Sequence, residues 1–202
     1  MSFCLRFPAD CVQVDLAIAL DSSGSVMRDN WNRLLQFTQD FVSRFTLSSD
    51  CAQIAILSFG NNAYVTSYLN SDLDLASLNS AIASMRFRDE RTHTGDVFRK
   101  MTQEIFQQKN GDRAGAQNLG LLFIDGPANV NNATTAKFAE EARKSGIKII
   151  TVGIENQIDR GELLRITQDS RKNLEFGSFL DLDKEETKVY IFNKVVGKFN
   201  SF

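Results

Sequence analysis

The chain has 202 residues, 43% of them hydrophobic and 24% charged, which is enough apolar material for one domain-sized core under a well-solvated surface. Its formal net charge of -2 excludes recruitment of nucleic acid or an anionic membrane by bulk electrostatics. No apolar run is long enough to span a bilayer, and Met1–Pro8 lacks the long apolar segment of a signal peptide, so Met1 reads as the start of a fragment or of a mature chain.

Residues 1–10 read as a tail or connector, and 11–202 as one domain. Val14-Asp15-Leu16-Ala17-Ile18-Ala19-Leu20 is nearly continuous in apolar character, the pattern of a strand buried on both faces of a parallel sheet. It runs into Asp21-Ser22-Ser23-Gly24-Ser25, where a tight turn can bring one carboxylate and two hydroxyls to one point. Asp29 to Phe45 has one-sided helical spacing through Trp31, Leu34, Leu35, Phe41, Val42 and Phe45, with Asp29 or Asn30 as the expected cap. Gln53–Phe59 is a second apolar strand. Gly60-Asn61-Asn62 turns it into Ala63–Tyr68, an alternating stretch expected to form an antiparallel edge strand. Ser71 or Asp72 should open a short helix holding Leu75, Leu78, Ile82 and Met85. A polar loop, Arg86 to His93, leads to a helix from about Gly95 that presents Val97, Met101 and Ile105.

Leu119–Ile124 is a third apolar strand, ending at Asp125-Gly126-Pro127. Thr134 to Lys144 reads as a helix stopped by Gly146, and Ile147–Val152 as a strand closed by Gly153. A helix from Arg160 to Thr167, a weak strand from Glu175 to Phe179 and a last helix from Thr187 to Phe199, with Val189, Phe192, Val196 and Phe199 on one side, complete the chain. Strands alternating with helices define the α/β class: a three-layer, Rossmann-like, doubly wound sheet, mostly parallel, with one antiparallel edge.

Cys11 precedes the first strand and Cys51 the second. If those strands are adjacent and parallel, both cysteines sit at one sheet edge within disulfide reach, and Cys4 is left for another chain or domain, or as a free thiol. Such a bridge implies an oxidising compartment. Asn132-Ala133-Thr134 is a glycosylation sequon soon after the Asp125 loop, and a glycan there would crowd that face.

Two expected strand ends carry an aspartate, Asp21 and Asp125, and the loop before the third main helix carries Arg91-Thr92-His93-Thr94-Gly95. Asp21, Ser23, Ser25, Thr92 and Asp125 together offer five oxygen side chains from three loops, a donor set suited to a hard cation such as Mg2+. In this order the motifs resemble those of the von Willebrand factor A domain, over about Cys11 to Phe199. The family's metal-ion-dependent adhesion site uses Asp-x-Ser-x-Ser, a Thr and an Asp in an Asp-Gly turn. The resemblance implies that these five residues hold Mg2+, Mn2+ or Ca2+, with Thr92 rather than Thr94 as the threonine, and that a partner's Glu or Asp completes the coordination. Ile124 stands where the family often has Thr, a departure expected to touch the surroundings of the cation more than its ligands.

The likeness is to the collagen- and matrilin-associated matrix type. Residues 154–159 leave no room for the extra helix of collagen-binding integrin domains. It implies a secreted, extracellular matrix module binding collagen or another matrix protein. The alternative is a structural matrix-assembly domain working through metal-independent surfaces. Arg86, Arg88 and Arg91 border this loop. They read either as an attraction for an acidic partner or, preferably, as an ordinary solvated loop balanced by Asp89 and Glu90. Catalysis is disfavoured: no Gly-x-x-x-x-Gly-Lys phosphate loop and no Gly-x-Ser-x-Gly elbow is present, and His93 is the sole histidine.

Overall fold

The computed structural model describes residues 11–155 and 157–197. Six strands form one sheet: β1 (Val14–Asp21), β2 (Ala52–Phe59), β3 (Ala63–Ser67), β4 (Gln117–Ile124), β5 (Lys148–Ile154) and β6 (Asn173–Phe176). Their order is β3-β2-β1-β4-β5-β6. All neighbours are parallel except β3, which runs antiparallel to β2 at the edge.

The helices are α1 (Arg28–Val42), α2 (Leu75–Ala83), α3 (Thr94–Lys100, continued by a π-helical turn over Met101–Ile105), α4 (Asn132–Lys144), α5 (Arg160–Thr167) and α6 (Glu185–Val195). Each face of the sheet carries its own core. Leu16, Ile18 and Leu20 of β1 pack toward Trp31, Phe37 and Phe41 of α1 and Ile191 of α6. Ala17 and Ala19 face Val97, Phe98 and Met101 of α3 and its π turn. The small residues on this second face let the helix come close. A Cβ at Gly120, which pairs with Ala17, would lie 2.8 Å from the Met101 sulfur. No helix among the described residues is long and apolar enough to cross a membrane.

The expected Cys11–Cys51 disulfide is present, with the Cα atoms 5.1 Å apart, because parallel pairing of β1 with β2 puts both strand entries at one edge. The neighbouring edge holds a buried ion pair. The Asp15 carboxylate is fully buried and accepts hydrogen bonds from the backbone N–H of Arg113 (2.8 Å) and its Nε (2.9 Å). The same guanidinium donates to the carbonyls of Val14, Ser49 and Cys51, tying β1, β2 and the β4 approach together.

Several boundaries differ from the sequence reading. α1 is capped by neither Asp29 nor Asn30. Its cap is Met27, with φ +62°, because the chain reverses there out of a short 3₁₀ turn. Asp29 falls instead in the first turn, where the helix dipole favours it. α2 starts later than Ser71 or Asp72, with Asp74 accepting a hydrogen bond from the Ser77 N–H. β5 runs on through Gly153, which pairs with Glu175 of β6. β6 lies earlier than expected, because the Asn173 side chain accepts from the Thr151 and Thr167 hydroxyls and anchors the strand start, while Phe179 turns away into the core. α6 buries Thr187, Ile191 and Val195, with Phe192 and Val196 partly packed. Val189 is 39% exposed, so the buried stripe is rotated from the expected one. Phe199 and Cys4 lie outside the described residues.

Candidate metal centre

β1 and β4 lie side by side where the winding of the sheet reverses, the place where open α/β sheets gather their ligands. β1 ends on Asp21 and β4 ends one residue before Asp125. Both carboxylates are buried, Asp21 at 1% and Asp125 at 4% exposure.

The turn after β1 is held at each step. Ser22 donates from both its N–H (2.8 Å) and its Oγ (2.9 Å) to the Phe59 carbonyl at the end of β2. The Ser23 N–H donates to Asp21 Oδ1 (2.8 Å), which fixes that carboxylate. Ser23 Oγ and Ser25 Oγ are 3.1 Å apart, and Ser25 Oγ donates to Asp125 Oδ1 at 3.0 Å. Three of the five expected side chains, those of Ser23, Ser25 and Asp125, are therefore joined by hydrogen bonds across two loops, and Asp21 is tied to them through the Ser23 backbone. Ser25 is the exposed member, so the cluster opens to solvent there.

Thr92, buried at 3% exposure, is placed through its backbone. Its N–H donates to Asn129 Oδ1 (2.9 Å), and its carbonyl accepts from the N–H groups of Asn129 and Val130, both at 3.0 Å. Residues 129–130 belong to the loop that begins at Asp125, so that loop carries both Asp125 and the mooring of Thr92. No hydrogen bond among the described residues joins the Thr92 side chain to the other four. Thr94 is fully buried as the first residue of α3, with its hydroxyl unpartnered.

The 86–93 loop is less free than an ordinary solvated one. Ser23 forms a parallel bridge to Glu90, and the Gly24 N–H donates to the Glu90 carbonyl at 2.9 Å. The Glu90 carboxylate accepts from the Asn61 N–H (2.8 Å) and the Tyr64 hydroxyl (3.1 Å). Gly60 allows this approach, since a Cβ there would sit 2.7 Å from Glu90 Cβ. Arg88 stacks on the Tyr64 ring at 3.4 Å, and Arg91 donates to the Asn129 carbonyl at 2.7 Å. Two of the three arginines thus brace the loop, while Arg86 is exposed.

Asn129, Glu155 and Glu162 escape the sequence reading, and Glu90 entered it only as a charge balancing the loop arginines. Each is a single polar residue in a loop or helix with no motif around it. Glu162 Oε2 accepts from the Ala128 N–H at 3.0 Å and fastens the Asp125 loop to α5. Glu155 is close enough for its charge to raise the pKa of Asp125.

Burial, with the charge of Asp125 second, pushes the Asp21 carboxyl up to about 7. Burial pushes Asp125 up to about 6, opposed by the Ser25 hydrogen bond and helped by Glu155. Asp21 Oδ2 is buried without a hydrogen-bond partner. An orphaned carboxylate oxygen beside converging hydroxyls is a poor arrangement for the protein alone and a suitable one for a hard cation. Among the described residues no group of three or more His, Cys, Asp or Glu side chains is placed to hold a metal, so an ion here would rely on hydroxyls as well as carboxylates.

A carboxyl whose pKa is raised by folding favours the folded state when protonated. The metal-free protein should therefore be most stable near pH 4 and lose stability as pH rises through about 6 and 7. Raised values at Asp15 and Glu162 act with the same sign. Thermal melts in chelator should show Tm falling between pH 5 and 8. A Tm that rises over this interval contradicts the assignment.

A doubly wound sheet with an oxygen-donor cluster at its switch point defines a Rossmann-like binding domain. The chain belongs to the von Willebrand factor type A domain family, whose model matches residues 15–187. It is 29% identical over 164 residues to the collagen alpha-1(XII) chain of Notophthalmus viridescens, covering 79% of this chain and 17% of that protein. It is 25% identical over 147 residues to human matrilin-1, covering 72% of this chain and 29% of matrilin-1. The chain thus spans less than a third of either relative. In fold it matches the mussel byssus proximal thread matrix protein 1 described with a zinc-occupied MIDAS motif, with a TM-score of 0.85 at 20% identity, covering 92% of this chain and 48% of that one. It also matches manganese-loaded TRAP protein of Plasmodium vivax, with a TM-score of 0.73 at 18% identity, covering 92% and 74%.

Proposed function

We propose that Asp21, Ser23, Ser25, Thr92 and Asp125 hold a divalent cation, and that this chain is a matrix adhesion module binding protein ligands through it. The observation that carries this reading is the Ser23–Ser25–Asp125 hydrogen-bonded chain beside the orphaned, buried Asp21 oxygen. Mg2+ suits the all-oxygen donor set, with Mn2+ or Ca2+ as substitutes. Bound there, the cation would act as a Lewis acid for an outside carboxylate. The protein's part is to keep the site short of negative charge. With the three neutral hydroxyls in direct positions and the aspartates acting partly through water, the ion would keep much of its positive charge, and Ser25 marks the open side. Met27, 61% exposed two residues beyond Ser25, offers an apolar contact near it in the chain.

The collagen and matrilin relatives support a secreted, extracellular matrix setting and a collagen or other matrix protein as partner. The zinc and manganese in the two structural neighbours support a divalent ion. The assignment is non-catalytic, with residues 11–202 as the binding domain and 1–10 as a connector whose Cys4 is available to another chain or domain.

Binding to immobilised collagens and matrilins should be measured in Mg2+, in chelator and with Asp21→Ala. The expected result is loss of binding in the last two. Equal affinity in all three would favour metal-independent matrix assembly instead.

A further inference from the structure

Beside the Asp125 loop, α4 and α5 enclose a cleft of about 350 Å³. One wall is apolar, from Pro127, Ala128, Ala136 and Ile166. Four polar side chains also line it, Thr135, Asp159, Glu162 and Arg165, and two of them are buried. Glu162 is 8% exposed and Thr135 is 1% exposed. Neither Glu162 Oε1 nor Thr135 Oγ1 has a hydrogen-bond partner, although both are buried. Leaving such groups unpaired costs about 1–3 kcal/mol each, more for a charged one.

The charges around the cleft do not cancel this need. Asp159 caps α5 by accepting from the Glu162 N–H (3.0 Å), and it faces Arg165 at 3.4 Å. Arg165 thus pairs with Asp159 at the surface, and although it lines the cleft and its charge acts on Glu162, it makes no hydrogen bond to Oε1. Glu162 Oε1 remains the free acceptor.

We propose that this cleft receives the side chain of a lysine from a partner protein. The aliphatic stem would lie on the alanine, proline and isoleucine wall. The ammonium would donate to Glu162 Oε1 and Thr135 Oγ1. A lysine suits the cleft better than an arginine. The second Glu162 oxygen already accepts from the Ala128 N–H, so a two-pronged guanidinium would have to share it, whereas a point-like ammonium needs one oxygen from each partner. The cleft is tied to the cation loop through Ala128, three residues after Asp125. The span from Asp125 to Ala128 is therefore at most about 11 Å. A ligand seated on the cation face has this cleft within reach of a neighbouring side chain. The lysine site itself does not require the cation.

The test uses Nα-acetyl-lysine methylamide, with the norleucine and arginine counterparts, titrated into the whole chain in chelator. Amide chemical shifts of Ala128, Thr135 and Glu162 are followed by NMR. The lysine probe should give saturable shifts, the norleucine probe none, and the arginine probe weaker ones. Glu162→Gln should weaken lysine binding by about tenfold or more. Ala136→Leu, which fills the cleft while leaving Glu162 in place, should abolish it. Equal response to lysine and norleucine, no response to lysine, or unchanged affinity in both variants overturns the proposal. Because chelator is present throughout, failure here leaves the cation reading intact, and failure of the cation reading leaves this one intact.

Discussion

Replacing Arg113 by methionine should destabilise the fold by about 3–5 kcal/mol, the usual cost of breaking a buried ion pair from one side. Asp15 has no exposed surface, and its carboxylate is held by the Arg113 N–H and guanidinium alone. The substitution also strips donors from the carbonyls of Val14, Ser49 and Cys51. Burial already raises the Asp15 pKa despite the Arg113 charge. Without that charge the raised value climbs further, so the loss should be largest near pH 8 and shrink toward pH 4 as the carboxyl takes up its proton. The double change Asp15→Leu with Arg113→Met should recover most of the loss, since no unpaired charge is left inside. Urea denaturation of the three variants at the two pH values checks this. A loss below about 1 kcal/mol at pH 8 would mean that the pair is solvated and of the surface kind.

Asp21→Asn should separate stability from cation binding. The native carboxyl is buried, has an orphaned oxygen and titrates near 7, so the metal-free protein should keep or gain stability when its charge is removed. The native chain should instead gain about 2.7 kcal/mol at a cation concentration a hundred times its Kd. For a chain of this size that is a rise in Tm of roughly 5–10 °C. The variant should show none of it. Calorimetric melts with and without Mg2+ read both effects. A variant that melts well below native protein in chelator, or that keeps the Mg2+ shift, contradicts the role given to Asp21.

The strands and the candidate site were legible for the same reason: continuous apolar runs such as Leu16–Leu20 and Leu119–Ile124 can sit only inside a sheet covered on both sides. That reading set Asp21 and Asp125 at strand ends, and Cys11 within reach of Cys51 if their strands were neighbours; the sheet then places β1 between β2 and β4. What the sequence hid depends on contacts between distant single residues. Nothing around Asn173 marks it as the anchor of β6, and nothing around Asn129 marks it as the mooring of Thr92. Met27 caps α1 by backbone reversal, although Asp29 and Asn30 are the better capping types. The buried stripe of α6 was misjudged because Phe192 packs at the rim against Phe45, 5.0 Å between ring centres, while Ile191 takes the centre. Glu162 looks like any polar helical residue until α4 closes over it.

Titration with Mn2+, read by the relaxation of water protons, bears most directly on the site. A saturable enhancement that vanishes in Asp21→Asn is the expected outcome, since an ion at a site open to solvent at Ser25 would keep bound water. A chain that leaves the relaxation of free Mn2+ unchanged at millimolar ion would contradict the assignment outright.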